Sequence, residues 1–268
     1  MDFKPQITLS SCAFGIAPGN ENKIPQSIEM AQNAGFEAFE IAYIVNGEPE
    51  ALSRAMKKSG AKICAVHGIL NPNAGAQEKD LRRKALDIAI KYIETFADFA
   101  PCPLVEHYWN RYNNPDYGKY FFDTVGELLD AAEKYGFLFC MENAPYKPEV
   151  NERYPYTKEV AEFAASYGKD RMFMTFDVNH GNLNEDVLQA VRDCDGLIRH
   201  IHISDNHGHR EEHLLPGEGI IDLRAVIAEI YQTGYTGPCN FEFCFPKNHI
   251  PQQEDFKQVF DYIKGNLL

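Results

Sequence analysis

The sequence predicts an α/β chain whose strands run parallel and close into a single (β/α)8 TIM barrel. Three observations lead there. Short runs of β-branched and aromatic residues alternate from end to end with longer runs of helical period, and eight such pairs can be counted. No Pro/Ser-rich linker or shift in composition divides the chain, so residues 1–268 read as one domain. The length of 268 residues also matches the roughly 250 that a barrel of eight units needs, whereas open sheets more often hold about five or six strands.

The elements follow in order. The first strand is expected over 7–14, followed by a helix over 24–34 that stops at Gly35. A strand over 38–44 and a helix over 49–59, ending at Gly60, form the second unit. The third pairs a strand at 62–69 with a long helix at 77–100, and the fourth a strand at 104–109 with a helix at 119–135. Strands at 137–144 and 172–179 precede helices at 157–167 and 184–194. The last two units are a strand at 198–205 with a helix at 223–233, and a strand at 240–244 with a helix at 254–263. Gly136, Gly168 and Gly234 sit where further helices should end.

Composition narrows the function. Hydrophobic residues at 44% and charged residues at 24% belong to an ordinary soluble protein. No apolar run reaches the ~18 residues of a membrane span, and the N-terminus carries no apolar signal region, so a cytoplasmic protein with no membrane partner is expected. The seven cysteines include no C-x-x-C pair, which removes disulfide frameworks and zinc ribbons; most lie in apolar runs and read as small core residues. The net charge of −13 argues against nucleic acid as the main partner. No P-loop, Rossmann fingerprint or nucleophile elbow occurs, so no nucleotide cofactor is expected. The oligomeric state is left open, a homo-oligomer included.

The chemistry is concentrated where such barrels carry their active sites, at the C-terminal ends of the strands. Strand three ends at His67 and strand four at Glu106 and His107. Strand five ends at Glu142 and Asn143, strand six at Asp177 and His180. Strand seven reads His200-Ile-His202-Ile-Ser-Asp205, and strand eight carries Glu242. A buried carboxylate on an apolar strand is costly unless it is paired or bound to metal, and these strand ends offer few basic partners. Glu142, Asp177, His202 and Glu242 together supply one nitrogen and three carboxylates, a set that suits one divalent ion: Mn²⁺, Mg²⁺, Co²⁺ or Zn²⁺. His200 and His202 share a parity; His202 lies nearer the mouth and is the better ligand, while His200 reads as a deeper core histidine. Glu40 reads either as partner to such a histidine or as a floor residue of the pocket. Glu106 and His107 have opposite parity, so one of them should point inward. The polar loop 205–219 is expected to form a pocket wall that turns Arg210 and His213 toward a ligand.

The array Met-Glu142-Asn, Asp177-Val-Asn-His180, His200-Ile-His202-Ile-Ser-Asp-Asn, His213-Leu-Leu-Pro-Gly-Glu-Gly and Phe-Glu242-Phe resembles the xylose isomerase-like TIM barrel superfamily along essentially the whole chain. That group includes sugar and sugar phosphate isomerases and epimerases, inosose-processing enzymes and endonuclease IV-type AP endonucleases. In its ketose epimerase branch the resemblance implies that Glu142, Asp177, His202 and Glu242 hold the metal, with Glu142 and Glu242 as the catalytic acid/base pair. His180 and an arginine after strand seven would hold a small sugar substrate. The branch places that arginine six residues after the metal histidine; Gly208 stands there, and Arg210 is the nearest arginine. His67, His213 and Trp109 complete the expected substrate contacts.

The reaction expected is proton transfer through a metal-stabilised enediolate, giving epimerisation or aldose–ketose isomerisation. An inosose-type dehydratase or isomerase is a variant of the same chemistry. The rival is a trinuclear-zinc phosphodiesterase acting on abasic DNA, for which the resemblance implies additional ligands at His67, His107, His180, Glu211 and His213. Glu211 stands where that branch has Asp, and the chain lacks a basic stripe for a DNA backbone. A non-catalytic sugar-binding barrel is disfavoured by the intact glutamate pair.

Overall fold

The computed structural model describes residues 5–44, 46–109, 116–145, 155–168, 170–183 and 185–268. The strands are β1 (Ile7–Ser10), β2 (Ala38–Ile41), β3 (Ile63–His67), β4 (Pro103–His107), β5 (Leu138–Glu142), β6 (Met172–Asp177), β7 (Ile198–His202) and β8 (Cys239–Phe241). Between and after them run α1 (Ile24–Ala34), α2 (Pro49–Ser59), α3 (Lys79–Phe96), α4 (Tyr117–Lys134), α5 (Thr157–Ser166), α6 (Val178–Gly181), α7 (Val187–Asp193), α8 (Leu223–Gln232) and α9 (Gln253–Tyr262). The sheet is parallel with sequential order from β1 to β7, and β8 pairs with β1. Closure between β7 and β8 rests on a bridge just past the end of β7, where Ile203 N–H donates to the Asn240 carbonyl and Glu242 N–H donates to the Ile203 carbonyl, each at 2.9 Å. The eight-stranded α/β barrel expected from the sequence is thus the fold.

The strands alternate as a two-residue period demands. Leu9, Phe39, Ile201 and Phe241 belong to the apolar core packed beneath the helices. Their neighbours Thr8, Glu40, His200 and Asn240 are fully buried on the opposite face. That face is the barrel interior: Thr8 donates to Asn240 at 3.0 Å, and Glu40 on β2 meets His200 and His202 on β7, two strands that are not sheet neighbours. A helix face that buries aromatic side chains, as α4 does with Phe121, gains about 1.5–3 kcal/mol for each. Gly60 ends α2 at φ 67°, a conformation that any side chain would strain.

Several strands end sooner than the alternation suggested. β1 gives way at Ser11 to a 3-10 turn through Phe14. β6 stops at Asp177 instead of running to 179, because the Asp177 carboxylate accepts from His180 N–H at 2.9 Å and starts α6. β7 ends at His202 and β8 at Phe241. The helix expected over 184–194 occupies Val187–Asp193, capped by Asp186; position 184 lies outside the described residues. All seven cysteines are free thiols, with Cys102, Cys140, Cys194 and Cys239 buried. Among the described residues no helix is long and apolar enough to cross a membrane.

Candidate metal centre

Four neighbouring strands deliver the central cluster. Glu142 closes β5, Asp177 closes β6, His202 closes β7, and Glu242 follows β8 by one residue. One ligand atom from each lies within 4.8 Å of the others, and all four residues are buried. The His202 ring organises the group. Its Nδ1 lies 2.8 Å from Glu142 Oε1, 3.1 Å from Glu242 Oε2 and 3.8 Å from Asp177 Oδ2.

The other ring nitrogen resolves the role of Glu40. His202 Nε2 donates to Glu40 Oε2 at 2.8 Å, and His200 Nε2 donates to the same oxygen at 2.7 Å. Glu40 is therefore the partner of both histidines, buried at the floor of the interior. A carboxylate on the far nitrogen fixes the tautomer and leaves Nδ1 facing the three other carboxylates, the usual support for a metal-bound histidine. His200, fully buried and two residues before His202 on β7, is the deeper core histidine.

Asp177 divides its two oxygens. Oδ1 caps α6, and Oδ2 is buried without a hydrogen bond among the described residues. The Asn143 side chain holds the aspartate from behind: its Oδ1 accepts from Asp177 N–H at 2.7 Å, and its Nδ2 donates to the Asp177 backbone carbonyl at 3.0 Å. Among the described residues, the ion pairs of Glu142, Asp177 and Glu242 are all with histidines. Three buried carboxylates with an orphaned oxygen and, among the described residues, no Lys or Arg partner fit a divalent cation.

Charge follows the same geometry. Burial opposes the His202 imidazolium, yet Glu242, Glu40 and Glu142 hold its pKa well above the ordinary value. Burial also works against the Glu142 carboxylate, but His202 and His107 keep it well below the usual range. Asp177, with fewer compensating partners, is pushed up to about 6, chiefly by burial.

Two smaller groups flank the central one. His67, His107 and Glu142 form the first, with His107 Nε2 at 3.1 Å and His67 Nε2 at 3.5 Å from Glu142 Oε2. His180, Glu211 and His213 form the second, with His213 Nε2 at 3.0 Å and His180 Nε2 at 3.6 Å from Glu211 Oε1. His180 Nδ1 donates to the Asn143 carbonyl at 2.7 Å, which directs its Nε2 toward Asp177 and Glu211. His213 sits at φ 46°, in the left-handed region that a non-glycine residue seldom occupies; such strain collects at functional positions.

Of the two candidates on β4, His107 faces the cluster. Glu106 points to the other side, where its Oε2 accepts from Leu70 N–H at 2.9 Å and pins the segment after β3. Trp109 stands beside the cluster, its ring centroid 5.5 Å from that of His107.

Arg210 is the expectation that the structure does not meet. Its side chain is 79% exposed and paired to Glu212 at 3.3 Å, because the carboxylate two residues away in the same loop captures it first. It is not among the residues that line the cavity over the cluster. The residue whose role the sequence concealed is Asp205. Its carboxylate accepts from the backbone N–H groups of Asn206, Gly217, Gly219 and Ile221 at 2.9–3.1 Å and folds the loop over β7. A side chain at Gly219 would strike that carboxylate. The Asp followed by a Gly-x-Gly pair was the available signal.

This fold and cluster define a β/α barrel with a metal-competent mouth. The profile of the xylose isomerase-like TIM barrel family matches residues 28–265, and the chain belongs to that family. An uncharacterised protein of Methanocaldococcus jannaschii, MJ1311, is 27% identical over 149 residues, covering 54% of this chain and 50% of its own. Fructoselysine 3-epimerase of Escherichia coli O157:H7 is 28% identical over 121 residues, covering 45% and 43%. The chain thus spans about half the length of these curated relatives or less. Among solved structures, that of L-ribulose 3-epimerase superposes with a TM-score of 0.79 over 97% of this chain and 94% of its own, at 17% identity, a likeness of fold.

Proposed function

We propose that the whole barrel acts as one unit, a divalent-metal-dependent epimerase or isomerase of keto sugars, with Glu142 and Glu242 as its acid/base pair. The observation that carries the reading is their placement: the two carboxylates come from β5 and β8 and approach the same His202 nitrogen at 2.8 and 3.1 Å. Two carboxylates delivered from strands that are not sheet neighbours can remove a proton from one face of a substrate carbon and return one to the other. A single divalent ion held by Glu142, Asp177, His202 and Glu242 would supply Lewis-acid polarisation of a carbonyl and its neighbouring hydroxyl. One glutamate takes the α-proton and leaves the enediolate of the substrate; the other delivers a proton to the opposite face, or to the adjacent carbon for isomerisation. His180, His67, His107 and His213 line the cavity and can donate to sugar hydroxyls. The likeness to a 3-epimerase of fructoselysine supports this class of reaction.

A second reading has a specific observation in its favour. The flanking groups His67/His107/Glu142 and His180/Glu211/His213 adjoin the central one, and Glu142 belongs to both the first and the central group. Three adjacent ligand sets suit a trinuclear phosphodiesterase. Against it stand the net charge of −13 and the lack of Lys or Arg among the described residues that line the cavity.

The deciding experiment combines a metal count with an exchange assay. One ion per chain, and deuterium entering the α-position of a turned-over keto sugar in D₂O, support the epimerase. Three ions per chain with cleavage of an abasic DNA substrate and no sugar turned over would replace it with the second reading. Full sugar turnover without deuterium would point to a hydride shift and remove the glutamate mechanism.

A further inference from the structure

A cavity of about 460 Å³ opens beside the cluster, walled by the ends of β3 and β4 and the segments after β2 and β3. It is larger than the cavity of about 210 Å³ over the cluster itself, and Tyr43 and His107 line both. The two cavities therefore adjoin at Tyr43 and His107, and a sugar held at the central cluster would lie next to the larger space. Its volume falls in the roughly 300–1,000 Å³ range of small-molecule sites.

The wall is rigidly built. The Trp109 indole N–H donates to the Leu70 carbonyl at 2.8 Å, and the backbone of Leu70 is anchored in turn on Glu106. Tyr92 lines the cavity although only 3% exposed, and its hydroxyl makes no hydrogen bond among the described residues. That hydroxyl is buried behind the wall, so the surface offered to a ligand is aromatic and aliphatic, with Tyr43, Ile69, Leu70 and Trp109 among its residues, and suits the apolar face of a ring. Among the described residues the charges of the lining are one-sided: Glu21 and Glu48 belong to it, and no Lys or Arg does. Glu21 accepts from Gly19 N–H at 3.1 Å, and backbone hydrogen bonds hold its carboxyl below the usual range, so it is charged. A phosphate entering here would meet like charge, with no compensating cation among the described lining residues.

We infer that this cavity is a subsite for an uncharged ring with an apolar face, attached to the keto sugar whose reacting carbons lie at Glu142 and Glu242. The substrate is a sugar bearing a second ring and not a sugar phosphate. The inference rests on the epimerase reading for its reacting end, but its own test is binding and needs no turnover.

Trp109 is the single tryptophan of the chain, so its fluorescence reports this cavity directly. The experiment titrates the metal-loaded full chain with phenyl β-D-glucopyranoside, cellobiose, glucose and glucose 6-phosphate. The two ring-bearing probes should give saturable changes in emission at concentrations at least about tenfold lower than glucose, and the tighter of them tells an aryl from a glycosyl ring. Glucose 6-phosphate should give no saturable change. Ile69→Phe narrows the cavity without touching a metal ligand and should weaken the ring-bearing probes about tenfold or more. Glu48→Lys, at an exposed rim position, should let glucose 6-phosphate bind. Equal response to phenyl glucoside and glucose 6-phosphate, or an Ile69→Phe variant that is folded and binds the ring probes unchanged, would overturn the inference. Ring binding without turnover of any keto sugar would leave the cavity's ligand class standing and overturn the epimerase reading instead.

Discussion

Replacing Glu40 by Gln separates the support of the proposed metal centre from the centre itself. Glu40 is fully buried and touches no substrate cavity, yet one of its oxygens receives both His200 Nε2 and His202 Nε2, at 2.7 and 2.8 Å. Gln keeps the shape and can leave its carbonyl oxygen toward both rings. What it removes is the negative charge that makes His202 Nδ1 a stronger ligand. Loss of such a partner typically weakens metal binding about 10–100-fold, or about 1.4–2.7 kcal/mol. In excess metal the folded state loses the same amount, and at about 2–4 °C per kcal/mol the metal-induced rise in Tm shrinks by about 3–11 °C. The assay is competition for Mn²⁺ or Co²⁺ against a chromophoric chelator, with melting curves recorded with and without metal. A folded Glu40→Gln protein that bound metal as tightly as the parent would refute the argument and reduce Glu40 to packing.

The remaining predictions concern chemistry, protons and the loop over the site. Glu142→Gln and Glu242→Gln should each lower turnover at least about 10²–10⁴-fold with the fold retained, as judged by circular dichroism; near-normal turnover in either would remove that glutamate from the mechanism. Metal affinity should rise with pH. In the metal-free cluster the neighbouring carboxylates raise the His202 pKa and burial raises that of Asp177 to about 6, so a proton occupies the ligand set at low pH and must leave when the ion enters. The apparent affinity should therefore fall about tenfold for each proton displaced per pH unit below neutrality, and calorimetry in buffers of different ionisation enthalpy should register proton release; affinity constant from pH 6 to 8 would show that no proton competes. Asp205→Ala deprives four backbone N–H groups of their acceptor. It should cost at least about 3 kcal/mol by urea denaturation and open the 206–219 loop to proteases first; an unchanged midpoint and cleavage pattern would show that the loop is held by something else.

These predictions depend unequally on what could be read from the sequence. The barrel was legible because short runs of β-branched and aromatic residues alternate with longer runs of helical period, and these signals are local. The central cluster was legible for a related reason: the strand ends share one mouth, so Glu142, Asp177, His202 and Glu242 could be grouped without knowing a distance, and the structure brings them together. Side chains whose partners lie across the barrel or in loops escape such reasoning. Glu40 stayed between two roles because its partners on β7 are 160 and 162 residues away in sequence. Arg210 was misplaced because a loop has no period, and the nearest carboxylate decided where the guanidinium went. At Asp177 two signals competed. The apolar Val178 suggested that the strand continued, but aspartate is also a strong helix N-cap, and capping prevailed. That outcome bears on the chemistry, since spending Oδ1 on the cap fixes the carboxylate and leaves Oδ2 turned into the cluster. The early end of β6 is thus part of how the barrel turns that oxygen toward the other carboxylates of the cluster.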